Sequence, residues 1–344
     1  MILPHTHAVT LLLILAAVVC FGSWANTFKM AGGWRYELYY IDWALGVALA
    51  AIVLALTAGS LGFDGFSVAD EMLIAGKRQW LYGFVAGGIF NFGNLLLMAA
   101  LSLAGMSIAF PMVYGVSLIT GAVLGYVLGA QANGGFLVVG CAILAGAAVA
   151  GGRAYREFLL ARHEELAKAG KSKSTRLPSA ARGNALAIAG GVMLGLYLPL
   201  VDKARQGEIG LEPYALALTF AAGVLFSTFL LDLFFMNLPV DGEPLDVMHY
   251  IRSSLKYHLL GVLGGVLWCA GLVAALVAAA VPAPIQASAA TAGAVAPLGA
   301  LLAAFWGMAA WKELRGAGAA ARMPAILILA LFAAGFVLLL LAWT

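Results

Sequence analysis

Charge is what this sequence has least of. Asp, Glu, Lys and Arg together make up 10% of its 344 residues, against about 25% in soluble domains. So little charge cannot dress a water-facing surface, and a soluble globular domain is excluded. Cysteine is nearly as scarce: Cys20, Cys141 and Cys269 each sit in an apolar stretch at no metal-ligand spacing, which leaves them as small core residues. Strand-like alternation is missing too. Runs such as Ala270–Ala280 are apolar on every face, whereas barrel strands alternate, so a β-barrel is excluded. Met1–His7 carries no Lys or Arg and no small-residue cleavage site precedes the second apolar segment, so a signal peptide is not expected.

What the chain does have is apolar length. Hydrophobic residues make up 63% of it and the mean hydropathy is +0.99. A helix needs about 20 mainly apolar residues to cross a bilayer, and ten such segments are expected, near 8–27, 41–60, 80–102, 105–129, 134–152, 183–202, 212–236, 256–280, 284–311 and 322–343. The expected fold is therefore an all-α integral membrane protein. The 42 glycines suit it, since small residues let helices approach closely where lipid removes the hydrophobic drive between them.

The 19 basic residues are unevenly placed. Lys77, Arg78, Lys203 and Arg205 fall in even-numbered connections; the other fifteen fall in odd-numbered ones, eight of them in 153–182. The positive-inside bias then puts 153–182 in the cytoplasm of a plasma (inner) membrane protein and both termini outside. That basic stretch divides the chain into a first five-helix repeat (1–152), a linker (153–182) and a second repeat (183–344). With an odd number of spans in each half, a shared fold requires opposite insertion, the inverted-repeat plan of many secondary transporters. A 177-residue step carries Val85, Gly87, Gly88 and Leu95 onto Val262, Gly264, Gly265 and Leu272.

Within GGIFNFGNL (87–95) two amides stand among apolar neighbours. At a rise of about 1.5 Å per residue, Asn91 lies near the middle of the core, and Trp268 in the matching GGVLWCAGL reaches a similar depth. Polar groups at mid-depth are where such transporters hold solute.

The same residues carry a resemblance. GSWANT (22–27), YYIDWALGVALAAIVLALTAG (39–59), GGIFNFGN (87–94), SIAFPM (107–112), LGGVLWCAG (263–271) and WKE (311–313) occur in the order found in the drug/metabolite transporter superfamily. Within it the chain resembles the ureide permease family, with weaker similarity to the rhamnose and glucose transporters. The resemblance implies ten transmembrane helices as two inverted five-helix repeats of the EamA-like kind, around a central cavity. It implies secondary-active, proton-coupled transport of allantoin, uracil or a related small polar metabolite. Some ureide permeases carry a nucleotide-binding-like signature in the central loop; here AGKS (169–172) has Glu165 where the P-loop pattern wants glycine and no strand before it. A basic linker with no ATP chemistry is expected.

Candidate residues follow. Asn91 and Asn94, at i and i+3, share a helix face and are read either as interhelical glue or as donors and acceptors for a ureide or nucleobase. Trp268 offers a flat ring for stacking. Trp24 is read as an interfacial anchor unless the match to GSWANT gives it, with Asn26 and Thr27, a cavity role. Tyr114 follows Pro111, where a helix break is expected to free a carbonyl and widen a cavity. Gln286 follows Pro282 and Pro284 and is read as gate-level or as a helix-start cap. The coupling candidates are Asp232, expected to snorkel or pair with Lys256 or Arg252, together with Asp42 and Glu37 at the start of the second span. His249 and His258 are expected to form no relay. No enzymatic function is expected: Ser117 in GVSLI lacks the G-x-S-x-G elbow and no span interior holds a histidine. The partners expected are a small-molecule substrate, the lipid bilayer and a co-transported proton or sodium ion, with no nucleic acid, no cofactor and no metal. A sugar carrier or a channel is the alternative.

Overall fold

The computed structural model describes residues 1–168, 180–240, 242–315 and 319–343; AGKS (169–172) lies outside them. All the regular elements among the described residues are helices. In chain order the helices are α1 (His7–Ser23), α2 (Ala25–Met30), α3 (Tyr36–Leu56), α4 (Val68–Ile74), α5 (Lys77–Ala104), α6 (Met106–Val127), α7 (Gly134–Lys168), α8 (Ala181–Leu196) and α9 (Leu198–Arg205). There follow α10 (Pro213–Asn237), α11 (Val247–Ile251), α12 (Leu255–Ala279), α13 (Ala289–Gly293), α14 (Val295–Ala309) and α15 (Ala319–Ala342).

Among the described residues, ten helical stretches are long and apolar enough to cross a membrane. The first joins α1 and α2 at Trp24, and the sixth joins α8 and α9 at Tyr197, ahead of Pro199. Local signals set many ends. The Thr6 hydroxyl accepts from the Val9 amide at the start of α1, Ser67 does the same for Asp70 in α4, and Pro213 opens α10 where its missing N–H has no partner to lose. Three spans differ from expectation by more than a turn at one end; the fifth runs on to Ala161, nine residues past 152, because α7 continues without a break into the basic stretch. The second span starts five residues earlier, at Tyr36, because Tyr36–Tyr40 are helical and buried, and it ends at Leu56 where Thr57 leaves helical geometry. The ninth begins at Thr291 and not 284, because the chain around Pro282 and Pro284 runs as turns.

The contacts sort the chain into two compact units, each drawing on both sides of the linker. The first comprises Met1–Leu95 and Leu196–Leu302. In it α12 packs on α1, α2 and α3, and α10 packs on α3 and α12. Two crossings have no room for a side chain. A Cβ at Gly46 would strike the Val262 carbonyl and one at Gly265 the Trp43 carbonyl, so α3 and α12 touch backbone to backbone. A Cβ at Gly87 would strike the Phe220 carbonyl and one at Gly223 the Phe84 carbonyl, which puts α5 against α10 in the same way. Leu12, Leu15, Leu49, Phe229 and Leu230 point outward, as lipid contact requires.

The second unit comprises Leu96–Gly195 and Ala303–Thr344. In it α7 lies along α15, with α6 against both. α5 and α6 are joined by Gly105 alone, at φ +81°, and the Glu313 carboxylate accepts from the Met106 and Ser107 amides at 2.9 Å each. That capping accounts for the WKE motif. It also places the discontinuity at Gly105: α6 runs unbroken through Pro111, so the break expected there is absent.

Candidate functional site

The first unit gathers most of the expected residues into one cluster. Asn91 on α5 is fully buried. Its Oδ1 accepts from the Tyr40 hydroxyl at 2.9 Å, and its Nδ2 donates to Ser227 Oγ at 2.9 Å and Thr228 Oγ1 at 3.0 Å. Both donors of the amide are thus engaged, and Asn91 bridges α3, α5 and α10 as the glue reading describes. Asn94, one turn on, donates from Nδ2 to the Tyr40 hydroxyl at 3.0 Å. Its own carbonyl oxygen is buried without a partner. Spare capacity therefore lies with Asn94.

Aromatic rings extend the cluster. Trp43 stacks on Tyr40 at 4.9 Å between centroids and meets Trp268 at 5.4 Å and Trp24 at 5.5 Å. Trp268 in turn stacks on Phe90 at 4.5 Å, so the two residues singled out at mid-depth, Asn91 and Trp268, are joined through the neighbour of one and the partner of the other. The Trp43 indole N–H is buried without a partner. Trp24 is fully buried at the junction of α1 and α2, which removes the interfacial-anchor reading. Its carbonyl accepts from Thr27 Oγ1, which also bonds the Tyr39 hydroxyl.

Other candidates lie apart from this cluster. Asn26 donates to the Ser23 carbonyl at 2.9 Å. Gln286 is exposed and donates to the Ala279 carbonyl at 3.1 Å, a local cap at the end of α12. Tyr114 belongs to the second unit, where its ring lies parallel to that of Phe110.

The coupling candidates occupy the ends of α3 and α10. Asp42 accepts from the Tyr250 hydroxyl and meets His258 Nδ1, both at 2.7 Å, while Trp34 packs on Tyr250, Tyr257 and His258. His258 therefore has a carboxylate partner, which its nine-residue distance from His249 gave no reason to expect. Glu37 is clasped by Arg35 through both guanidinium Nε and Nη2. Asp232 is buried, yet neither carboxylate oxygen meets a donor. It neither snorkels nor pairs with Lys256 or Arg252, because its side chain turns inward toward α3.

Tyr40, Trp43, Phe90, Ser227 and Thr228 were not singled out from the sequence. The one signal for them was the spacing of Tyr40 and Trp43 on a single helix face and the hydroxyl pair within LFSTFL (225–230). Tyr40, Trp43, Asn91 and Asn94 have no exposed surface, so no cavity opens among them. An open cleft of about 290 Å³ lies elsewhere, between Arg78, Gln79 and Tyr82 of α5 and Lys203 and Gln206.

No family model matches the chain, and no curated protein matches it. One solved structure, "Crystal structure of protein", aligns over 96% of this chain and 96% of its own, at 17% identity and a TM-score of 0.49. The protein is a multi-span helical membrane protein on the strength of its ten long apolar helices.

Proposed function

We propose that the protein is a secondary-active transporter of a small polar metabolite of the ureide or nucleobase class, alternating access around the Tyr40–Asn94–Trp43 cluster and coupled to protons. The observation that carries this reading is a buried acceptor and a buried donor, the Asn94 carbonyl and the Trp43 indole N–H, both unpartnered and both beside Tyr40. Unmet polar groups inside a protein are rare. A planar solute with alternating N–H and C=O groups supplies the complement to each, and the Tyr40, Trp43 and Trp268 faces suit its ring.

The two glycine crossings add support. The 177-residue step that relates GGIFNFGNL to GGVLWCAGL also takes Gly46 to Gly223 and Trp43 to Phe220. It brings the α3–α12 crossing to within one residue of the α10–α5 crossing: Gly265 and Val262 map to Gly88 and Val85, and the contacts on α5 are made at Gly87 and Phe84, a near match of the kind two inverted five-helix repeats lead one to expect. The basic linker 153–182 lies on the cytoplasmic side in this reading, and the sealed cluster is the closed stage of the cycle.

Uptake of labelled allantoin, uracil and rhamnose into liposomes, with and without a pH gradient, tests it. Saturable, gradient-driven uptake of allantoin or uracil is expected. Rhamnose uptake alone moves the assignment to a sugar carrier, and unsaturable flux replaces the carrier with a channel.

A further inference from the structure

Four acidic side chains of the first unit are buried among the described residues: Glu37, Asp42, Glu71 and Asp232. Three have partners. Arg35 clasps Glu37, Tyr250 and His258 hold Asp42, and Glu71 accepts the Glu212 backbone N–H. Asp232 alone has none, at 2% exposure.

Its surroundings sharpen the problem. Asp232 lies five residues before the end of α10, on the side packed against α3, and Tyr36, Glu37 and Tyr40 of α3 are within electrostatic range of it. The Tyr36 hydroxyl is itself buried without a partner. The charged group that faces Asp232 is Glu37, of like sign, and the Arg35 cation beside it is engaged by Glu37 itself. On α5, Asn91 and Asn94 carry no charge. On α12, His258 is held by Asp42 and Lys256 makes no contact with Asp232. The ionisable residues of α4 and α9, namely Asp70, Glu71, Asp202, Lys203 and Arg205, belong to the opposite end of α10, where Glu71 reaches Glu212 and Leu211 bonds Ala204. Glu243 and Asp246 follow α10 in exposed chain.

An isolated carboxylate so enclosed is costly, and a second negative charge beside Glu37 adds to that. A proton removes both penalties. We propose that Asp232 is a proton-binding site and that its proton is the ion carried with the solute. The coupling half of this rests on the transport reading; the proton site does not.

The link to the solute cluster is one helical turn. Thr228 lies four residues before Asp232, on the same face of α10, and its hydroxyl holds the Asn91 amide that also binds Tyr40. Protonation converts a carboxylate to a carboxylic acid by taking H⁺ from water on one side of the membrane. Release of the same H⁺ to the other side restores it, with no redox partner.

Three measurements separate the halves. In detergent-purified protein, a hydrophobic carbodiimide modifies buried protonated carboxyls. Peptide mapping is expected to find Asp232 modified at neutral pH, less so as pH rises, and Glu37 unmodified. Infrared spectra are expected to show a carboxylic-acid C=O band that is lost in Asp232→Asn, and Glu37→Gln is expected to shift the loss of labelling to lower pH. Absence of both the label and the band in the monodisperse wild-type protein overturns the proton site. In liposomes, uptake by the wild type is expected to rise with an inward proton gradient and uptake by Asp232→Asn to be indifferent to it. If Asp232→Asn still responds to the gradient, the coupling role falls while the transport reading stands. If the band is present and no solute is taken up, the transport reading falls while the proton site stands.

Discussion

The α3–α12 and α5–α10 crossings share one backbone solution and differ in everything laid over it. Both bring glycine against a carbonyl of the facing helix, at Gly46 and Gly265 in one and Gly87 and Gly223 in the other. Over α3–α12 lie ring contacts, with Trp43 on Trp268, and at its end Asp42 has two partners. Over α5–α10 lie amides and hydroxyls, and at its end Asp232 has no partner. The glycines fix how near the helices come; the residues beside them decide whether polar capacity is used up or left open. Function is expected where it is left open.

The most severe way to break the comparison is to remove what the crossings share. Gly265→Leu and Gly87→Leu are each expected to abolish monodisperse folded protein in detergent, because overpacking by even a few methylenes costs about 1–3 kcal/mol and here the obstacle is backbone. Size-exclusion chromatography reads this. If one tolerates leucine and the other does not, the crossings are not equivalent.

Next come the two acids. Asp42→Asn loses charge-assisted bonds to Tyr250 and His258 and is expected to lower stability by about 2–3 kcal/mol. Asp232→Asn removes an unpartnered acid and is expected to leave the thermal midpoint unchanged or higher. Equal losses erase the distinction between the two ends.

At the other end of α10, burial pushes Glu71 up from 4.5 to about 7, with its acceptor bond from Glu212 opposing the shift. The folded state then holds a proton that the unfolded chain has released, so this contribution is full below pH 4.5 and is lost as pH rises to about 7. Midpoints measured across that range are expected to fall with rising pH in the wild type and to flatten in Glu71→Gln.

Smaller effects sharpen the picture. Asn91→Ala breaks the amide bridge and is expected to cost about 1–2 kcal/mol, with Asn94→Ala costing less because it makes a single bond. Under the transport proposal the order reverses: Asn94→Ala is expected to weaken solute affinity more. Gln286→Ala is expected to stay within about 0.5 kcal/mol of wild type, since it makes one exposed bond to the Ala279 carbonyl.

The ten spans were legible because a bilayer-length apolar run is a property of consecutive residues. Even the misplaced ends have local causes, in the helical Tyr36–Tyr40 and the prolines at 282 and 284. Asn91 and Trp268 were legible as oddities in their surroundings. Their partners were not, because Tyr40 lies 51 residues from Asn91 and Thr228 lies 137, and no local pattern specifies which hydroxyl a buried amide will meet. The same holds for His258, 216 residues from Asp42. What a carboxyl in an apolar run does depends on its neighbours across the helix interface, which is why Asp42 and Asp232 looked alike in the sequence and differ in the fold.

Gly105 and Glu313 carry a mechanical consequence. Two membrane-length helices joined by one residue have no slack, and a carboxylate fixed to the first two amides of α6 removes the freedom of the joint to swivel. A tilt of α6 must therefore be delivered to the end of α5 as a push or a twist, without being absorbed in a loop. Lengthening this joint by a few glycines is the direct way to uncouple the end of α5 from the start of α6.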